Sequence, residues 1–274
     1  MPRFRRKSSE ADIAQVVGEF ELPTFPQVAT EALQRLADPD VDLRSVAGIL
    51  ERDPGLSVHL LRIANSASLG LRNTVDSLDR AVAMLGRNQV ESILIGQAVS
   101  SSLSATTPPI ESSRFWTSAA TRAVVASQIA LRVDPARRSE HFTAGLLQDM
   151  AILVLAEQVP GYDDILLGWY EGTVPELVIA EQDRFGWDHA EIAAGMCREW
   201  SFPERLADAI GSHHDDADVL SPSQLVAEWH EVDADRGPAA FAVRAIGVDE
   251  LAPHLDAILE AVDEQVAEVT AIFH

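Results

Sequence analysis

Among the side chains in the second half of the chain that can exchange protons or bind a cation, four are of special interest: those of Asp149, His189, His213 and His214. Asp149 lies inside an apolar stretch, and the two adjacent histidines continue the apolar stripe of a predicted helix that follows Pro203. A polar group on a buried face needs a hydrogen-bonding partner, which a carboxylate and an imidazole can give each other. If Asp149 is buried, His213, His214 or His189 is therefore the expected partner of its carboxylate.

The elements that position these residues are predicted to be helices, which makes the fold class all-α. Apolar residues recur at helical spacing along nearly the whole chain, and strand-type alternation over five or more residues is hard to find. His189 follows Asp188, with Glu191 further in, which is typical of a capped helix start. In the second half, helices are expected at about 114–132, 140–158, 175–185, 189–200 and 203–214, and near 223–231, 238–246 and 250–273.

The sequence divides into two predicted helical lobes. The best boundary is Ser100–Pro109, because small polar residues followed by prolines are typical of a linker. Residues 1–14 are expected to form a basic, disordered tail, and residues 15–108 the N-terminal lobe. Residues 109–274 are expected to form a second lobe with additional C-terminal helices.

Charge is unevenly distributed between the halves. The net charge is -22, with 11 Lys and Arg against 13 Asp and Glu up to Pro108, and 10 against 30 from Pro109 onward. An acidic surface repels phosphate backbones and anionic lipids, so nucleic acid and membrane surfaces are not expected as partners. The chain lacks a run of about 18 apolar residues and a signal-peptide pattern, so we expect a cytoplasmic protein. The single cysteine, Cys197, is expected to be a buried, inert thiol.

A set of short motifs near the N-terminus resembles one known family. Residues Leu22–Gly70 contain an LPTFP opening, a D-P-D turn, an ERDPGL step and the segment RIANSAS, and SLDRAVAMLG follows. These features resemble the HDOD family, the HD-related output domains of bacterial signalling proteins. The resemblance continues through Phe115-Trp116, AGLL at Ala144–Leu147 and Asp188–Ala194, and covers roughly Leu22 to His214. It implies that the second lobe is an HD-domain-like helical bundle.

The resemblance also implies where the metal ligands of HD-type phosphohydrolases would fall. The first histidine of the motif falls on Ser118 and the His-Asp pair on Gln148-Asp149. The next histidine falls on His189, the histidine pair on His213-His214, and the final aspartate on Glu228. A hydroxyl and a neutral amide are weak ligands for transition metals, so Ser118 and Gln148 mark lost ligand positions.

Two interpretations of the remaining polar residues stay open. In the one we favour, Asp149, His189, His213 and His214 form a buried hydrogen-bonded cluster, the remnant of a metal site, and neither a metal nor another cofactor is expected. In the alternative, Asp149 and two or three of the histidines still hold a single ion.

The corresponding functional hypothesis is a non-catalytic HDOD signalling protein that acts in trans on a separate signalling protein through protein–protein contacts. A homodimer is a further option. One alternative is a metal-dependent phosphohydrolase with an unusual ligand set. The other is a nucleotide-binding sensor that uses the degenerate cleft without cleaving its ligand.

Overall fold

A computed structural model describes residues 10–65, 74–103, 111–215, 221–226 and 251–270. Within these ranges the chain forms helices and no strand, which confirms the predicted all-α fold. The helices are α1 (Glu10–Gly18), α2 (Gln27–Leu36), α3 (Leu43–Leu50), α4 (Pro54–Ala64), α5 (Leu78–Leu103), α6 (Ser112–Val133), α7 (Arg138–Leu147), α8 (Met150–Gln158), α9 (Tyr162–Tyr170), α10 (Leu177–Phe185), α11 (His189–Glu199), α12 (Glu204–Gly211), α13 (Pro222–Leu225) and α14 (Leu255–Thr270). In this part of the chain, no helix combines the length and apolarity that a membrane span requires.

The N-terminal lobe consists of α2, α3, α4 and the first part of α5. Two aspartates start its helices: the Asp42 carboxylate accepts a hydrogen bond from Arg44 N at 3.0 Å, and that of Asp53 accepts one from Leu56 N at 3.0 Å. Pro54 occupies the first turn of α4, where a missing N–H costs nothing. The apolar faces of these helices share a core that includes Ala29, Leu36, Val46, Leu50, Leu60, Val90 and Leu94.

Helix α5 connects this core to the second lobe. Its backbone is interrupted at Gly86, where φ is +73° and ψ is 170°, as expected for a glycine that separates two helical segments. Beyond the break, Ile95, Val99 and Leu103 pack into the core of the second lobe. The first residues of the expected linker, from Ser100 to Leu103, are instead part of α5. Residues 104–110 lie outside the described ranges.

The second lobe is built around α6, α7, α8, α11 and α12, whose buried residues form the largest core of the protein. Helix α7 approaches α6 closely at Gly145, where an added Cβ would lie 3.1 Å from the carbonyl oxygen of Arg122. Helix α14 covers the other side of α6, with Ile258 and Val262 against Val124 and Ile129. These contacts hold α6, a long helix with a largely buried surface, in the middle of the lobe.

Residues 10–14 of the predicted disordered tail are helical, because α1 begins at Glu10. Ile13 and Val17 of this helix are buried in the core of the second lobe, and both contact the position of Gly195 in α11. Their apolar side chains explain the difference, since burying them stabilises the helix against the bundle. Residues 1–9 lie outside the described ranges.

The structure also corrects several helix boundaries. The helix expected at 140–158 is two helices, α7 and α8, separated at Gln148-Asp149. The backbone of Asp149 has φ −99° and ψ 6°, outside the helical region, so this residue precedes α8 instead of lying within a helix. Helix α9 was not predicted, and α12 ends at Gly211 instead of continuing through the histidine pair. Of the helices expected near 223–231 and 238–246, only residues up to 226 lie in the described ranges, and α13 ends at Leu225.

Candidate functional site

The four predicted polar residues do meet inside the second lobe. One ligand-type atom from each of Asp149, His189, His213 and His214 lies within 4.8 Å of the other three, and we call this group the His-Asp cluster. The Oδ1 atom of Asp149 lies 3.4 Å from Nε2 of His213 and 3.6 Å from Nε2 of His189. The Nε2 atoms of His189 and His214 are 3.1 Å apart. The first three residues are buried and His214 is half-buried.

His189 is held at the first position of α11 by the helix start that the sequence predicts. The Asp188 carboxylate accepts hydrogen bonds from the backbone N–H groups of Ala190 and Glu191, at 3.0 and 3.1 Å. The Glu191 carboxylate in turn accepts from Asp188 N at 3.2 Å, which completes a capping box. Gln182 Nε2 donates to the second carboxylate oxygen of Asp188 at 2.7 Å. These bonds fix the backbone from which the imidazole projects.

The histidine pair lies on the turn that follows α12. The turn approaches α11 so closely that a Cβ on Gly211 would lie 2.9 Å from Cβ of Ala194. His213 Nδ1 lies 2.6 Å from the carbonyl oxygen of Ile210, which can only accept a hydrogen bond. Nδ1 of His213 therefore carries a proton, and Nε2 is the atom that faces Asp149.

Arg122 is the closest cationic partner of Asp149 and was not anticipated from the sequence. Its Nη1 lies 2.8 Å from Oδ2 of Asp149, and both side chains are at most 3% exposed. Its Nε donates to the carbonyl oxygen of Gly145 at 3.2 Å. The signal was present in the sequence, because Arg122 lies in the middle of α6 among small and apolar residues, away from Arg114 and Arg132 near the helix ends. The identity of its partner, however, could not be predicted, because it is set by the packing of α6 against α7.

Glu181 is a second residue that the sequence analysis missed. Its carboxylate accepts hydrogen bonds from Nδ1 of His189 at 2.8 Å, from the backbone N–H of His189 at 3.1 Å and from the hydroxyl of Tyr162. Glu181 is fully buried and follows the buried Leu177 by one helical turn, a spacing that could have indicated an inward position. It acts as the carboxylate that orients a ligand-type histidine.

The two predicted lost-ligand positions are also buried. Ser118 lies one turn before Arg122 on the same face of α6, and Gln148 directly precedes Asp149. Within the described part of the chain, neither Oγ of Ser118 nor either amide atom of Gln148 has a hydrogen-bond partner. A buried polar atom that lacks a partner costs about 1–3 kcal/mol. Ser118 and Gln148 are therefore poor replacements for the imidazoles expected at these two positions.

The surroundings shift the pKa values of the two buried histidines, His189 and His213, in opposite directions. Burial favours the neutral form of His189, but Glu181, Asp149 and Asp188 outweigh it and raise the pKa of His189 to about 9. For His213, burial is the larger influence and lowers the pKa, although Asp149 acts in the opposite direction. Among the described residues, the buried carboxylates of Asp149, Glu181 and Asp188 outnumber the one buried guanidinium, that of Arg122. The His-Asp cluster therefore favours additional positive charge.

The cluster fits the metal implied by the sequence resemblance, but for one ion only. Nδ1 of His189 and Nδ1 of His213 both face acceptors, so their Nε2 atoms are directed at Asp149. This arrangement is the usual one for histidines that bind a metal through Nε2. Oδ2 of Asp149 is held by Arg122, and Ser118 and Gln148 are weak ligands. A bound ion would supply positive charge between Asp149 Oδ1 and the imidazoles.

Comparisons with known proteins agree with this architecture. A solved structure from Shewanella amazonensis SB2B, whose name proposes a phosphohydrolase, is 24% identical and has a TM-score of 0.78, covering 96% of this chain and 98% of that one. An HDOD domain protein of unknown function from Geobacter sulfurreducens is 23% identical with a TM-score of 0.68, covering 93% and 98%. At these identities the likeness shows the fold alone.

A curated relative, an uncharacterized protein from Treponema pallidum (strain Nichols), is 24% identical over 200 residues. The match covers 71% of this chain and 38% of that protein, so the chain spans well under half the length of its relative. The family model of the HDOD domain matches residues 22–216, which include both lobes and the whole His-Asp cluster. The chain therefore belongs to the HDOD domain family.

Proposed function

We propose that this protein is a non-catalytic, regulatory HDOD protein that acts through contacts with a separate protein in the cytoplasm. The observation that carries the proposal is the buried ion pair between Arg122 and Asp149. A catalytic metal centre uses its carboxylate to hold ions and to position a water molecule for attack. Here one oxygen of that carboxylate is held by a guanidinium, which is always protonated and does not leave a buried carboxylate readily.

Burial of the site supports the same conclusion. Gln148, Asp149, His189 and His213 are each at most 2% exposed, and Ser118 and Arg122 are equally covered. A phosphoester must contact the ion and the attacking water, so a catalytic metal site keeps an open coordination position. Among the described residues of the His-Asp cluster only His214 is half-buried, so the phosphoryl group of a substrate has little access to Asp149.

The partner is proposed to be a protein, because the acidic second half of the chain disfavours phosphate-rich ligands. That half carries 10 Lys and Arg against 30 Asp and Glu. An excess of negative charge repels nucleic acid and anionic lipid and lowers their rate of association. A second copy of the chain is an additional option for the partner.

Hydrolysis assays test the proposal directly. Purified protein, saturated in turn with Mn²⁺, Fe²⁺, Zn²⁺ and Mg²⁺, would be incubated with bis(p-nitrophenyl) phosphate and with cyclic dinucleotides. The matched control is Asp149→Ala, which removes the central carboxylate. We expect no turnover above that control. Metal-dependent turnover that is abolished by Asp149→Ala would establish the phosphohydrolase alternative instead.

A binding experiment tests the partner. Cross-linking in the native cytoplasm followed by isolation of the intact protein should yield a protein that also binds in purified form, in a ratio measured by sedimentation. A thermal-shift series with cyclic dinucleotides and guanosine tetraphosphate is the counter-test, since a stabilising nucleotide would favour the sensor alternative. Failure to find a protein partner together with such a shift would overturn the proposal.

A further inference from the structure

The three measured separations in the His-Asp cluster match the edges of a coordination tetrahedron. Four ligands bound to Zn²⁺ at about 2.0–2.1 Å in a tetrahedron have their donor atoms about 3.3–3.4 Å apart. Asp149 Oδ1 lies 3.4 Å from His213 Nε2 and 3.6 Å from His189 Nε2, and His189 Nε2 lies 3.1 Å from His214 Nε2. Three of the six donor–donor separations therefore suit one ion of this size, and all four residues offer ligand atoms within 4.8 Å of one another.

Hydrogen bonding alone does not account for this spacing. The Nδ1 proton of His213 is directed at the carbonyl oxygen of Ile210, so in the neutral ring Nε2 carries a lone pair that faces a carboxylate oxygen. In the described part of the chain, Nε2 of His213 makes no well-formed hydrogen bond, and its contact with Asp149 Oδ1 is long, at 3.4 Å. A single proton between His189 and His214 would satisfy those two rings and leave His213 facing Asp149 across 3.4 Å. A cation bound to all four atoms satisfies every one of them.

Arg122 sets the number of ions. It holds Oδ2 of Asp149 at 2.8 Å, so Oδ1 alone is directed at the imidazoles. A second ion on the Oδ2 side would lie beside a permanent guanidinium charge, where repulsion is strong in a buried site. The neighbouring side chains there, Ser118 and Gln148, are neutral and weak ligands.

We propose that the His-Asp cluster binds one structural transition-metal ion of the Zn²⁺ class, and that Arg122 is the fixed cation that keeps a second ion from binding beside Asp149. Three imidazoles and one carboxylate suit Zn²⁺ and its neighbours, whereas Mg²⁺ and Ca²⁺ require oxygen ligands. Because all four ligands come from the protein, the site is closed, as structural sites are. The inference goes beyond the proposed regulatory function, which does not require an ion.

Metal analysis of untagged protein, purified without chelator, is the first test. We expect about one ion of the Zn²⁺ class per chain, retained after desalting, since structural sites bind their ion tightly. His213→Ala should lose the ion. His254→Ala is the matched control, because His254 is exposed and lies outside the cluster, and it should keep the wild-type content.

Titration of metal-free wild-type protein with Co²⁺ keeps the test valid if His213→Ala fails to fold. We expect saturation at one equivalent, the intense visible absorption of four-coordinate Co²⁺, and a rise in melting temperature that Mg²⁺ does not produce. Trace metal content together with no spectral change would overturn the inference and leave the proposed function standing. The weak spectrum of six-coordinate Co²⁺ would contradict the closed site.

The role assigned to Arg122 has its own test. Arg122→His replaces the guanidinium with a ligand beside Oδ2 of Asp149, and the folded variant should bind two equivalents of Co²⁺. Two equivalents bound by the wild-type protein would overturn this role. Phosphodiester turnover by the wild-type protein carrying one ion would instead contradict the proposed function, so the two failures can be told apart.

Discussion

The carboxylate of Asp149 is divided between two kinds of partner, and Arg122 holds one of its oxygens. Nη1 of Arg122 lies 2.8 Å from Oδ2, while Oδ1 faces the imidazoles of His189 and His213. The pair joins α6 to the junction between α7 and α8, so it links the central helix to the segment that carries Asp149. Asp149 is therefore both a structural anion and the centre of the candidate metal site.

Removing Arg122 should destabilise the protein strongly. Arg122→Met removes the partner of Asp149 Oδ2 and breaks a buried ion pair, at a cost of about 3–5 kcal/mol in the free energy of unfolding measured with urea. The control is Arg52→Met, since Arg52 pairs with Glu31 on the surface and such pairs contribute less than about 1 kcal/mol. Equal losses of unfolding free energy in the two variants would show that the buried pair stabilises the protein no more than a surface pair does.

Asp149→Asn should be milder than Asp149→Ala. Asparagine keeps the shape and an acceptor for Arg122, whereas alanine leaves the guanidinium buried with no anion, at a cost of about 3–5 kcal/mol. Thermal melts of both variants, with and without chelator, measure the difference. If the wild type loses several degrees on chelation while both variants melt alike, the bound ion and not the Arg122 pair is the main organiser of the site.

Asp149 and the three histidines of the site could be predicted from the sequence, but Arg122 and Glu181 could not. Asp188 and Glu191 form a capping box that is local in sequence, so its pattern is visible in the chain. The Arg122–Asp149 pair instead depends on how closely α7 approaches α6 at Gly145, which no local pattern encodes.

The predicted unbroken helix through Gln148 failed for a related reason. Apolar periodicity continues across the junction of α7 and α8, because the buried residues on both sides belong to one core. The non-helical backbone at Asp149 is a feature that apolar periodicity does not report. The same holds for the end of α12 at Gly211, where the chain turns to bring the histidine pair against α11.

Gly211→Ala should destabilise the protein, because the new methyl group would lie 2.9 Å from Cβ of Ala194, closer than Cβ atoms normally approach. Overpacking of this kind costs about 1–3 kcal/mol and should also displace the histidine pair. Gly48→Ala is the matched control: Gly48 lies within α3, has no heavy atom within 4 Å of the added Cβ, and should be neutral or stabilising by up to about 1 kcal/mol. Chemical denaturation of both variants gives the comparison, and a loss in Gly48→Ala as large as that in Gly211→Ala would contradict the packing argument.

His59 should make the N-terminal lobe sensitive to acid. Burial of this side chain in α4, assisted by Arg62, lowers the pKa of His59 to about 4. The unfolded chain takes up a proton near pH 6.5 and the folded chain does not, so the contribution to stability is present above pH 6.5 and is lost as pH falls toward 4. The loss should amount to about 2 kcal/mol between pH 7 and pH 5. His59→Gln removes this titration, so its free energy of unfolding should fall less steeply than that of the wild type over the same interval. Parallel curves for the two proteins would show that folding does not lower the pKa of His59.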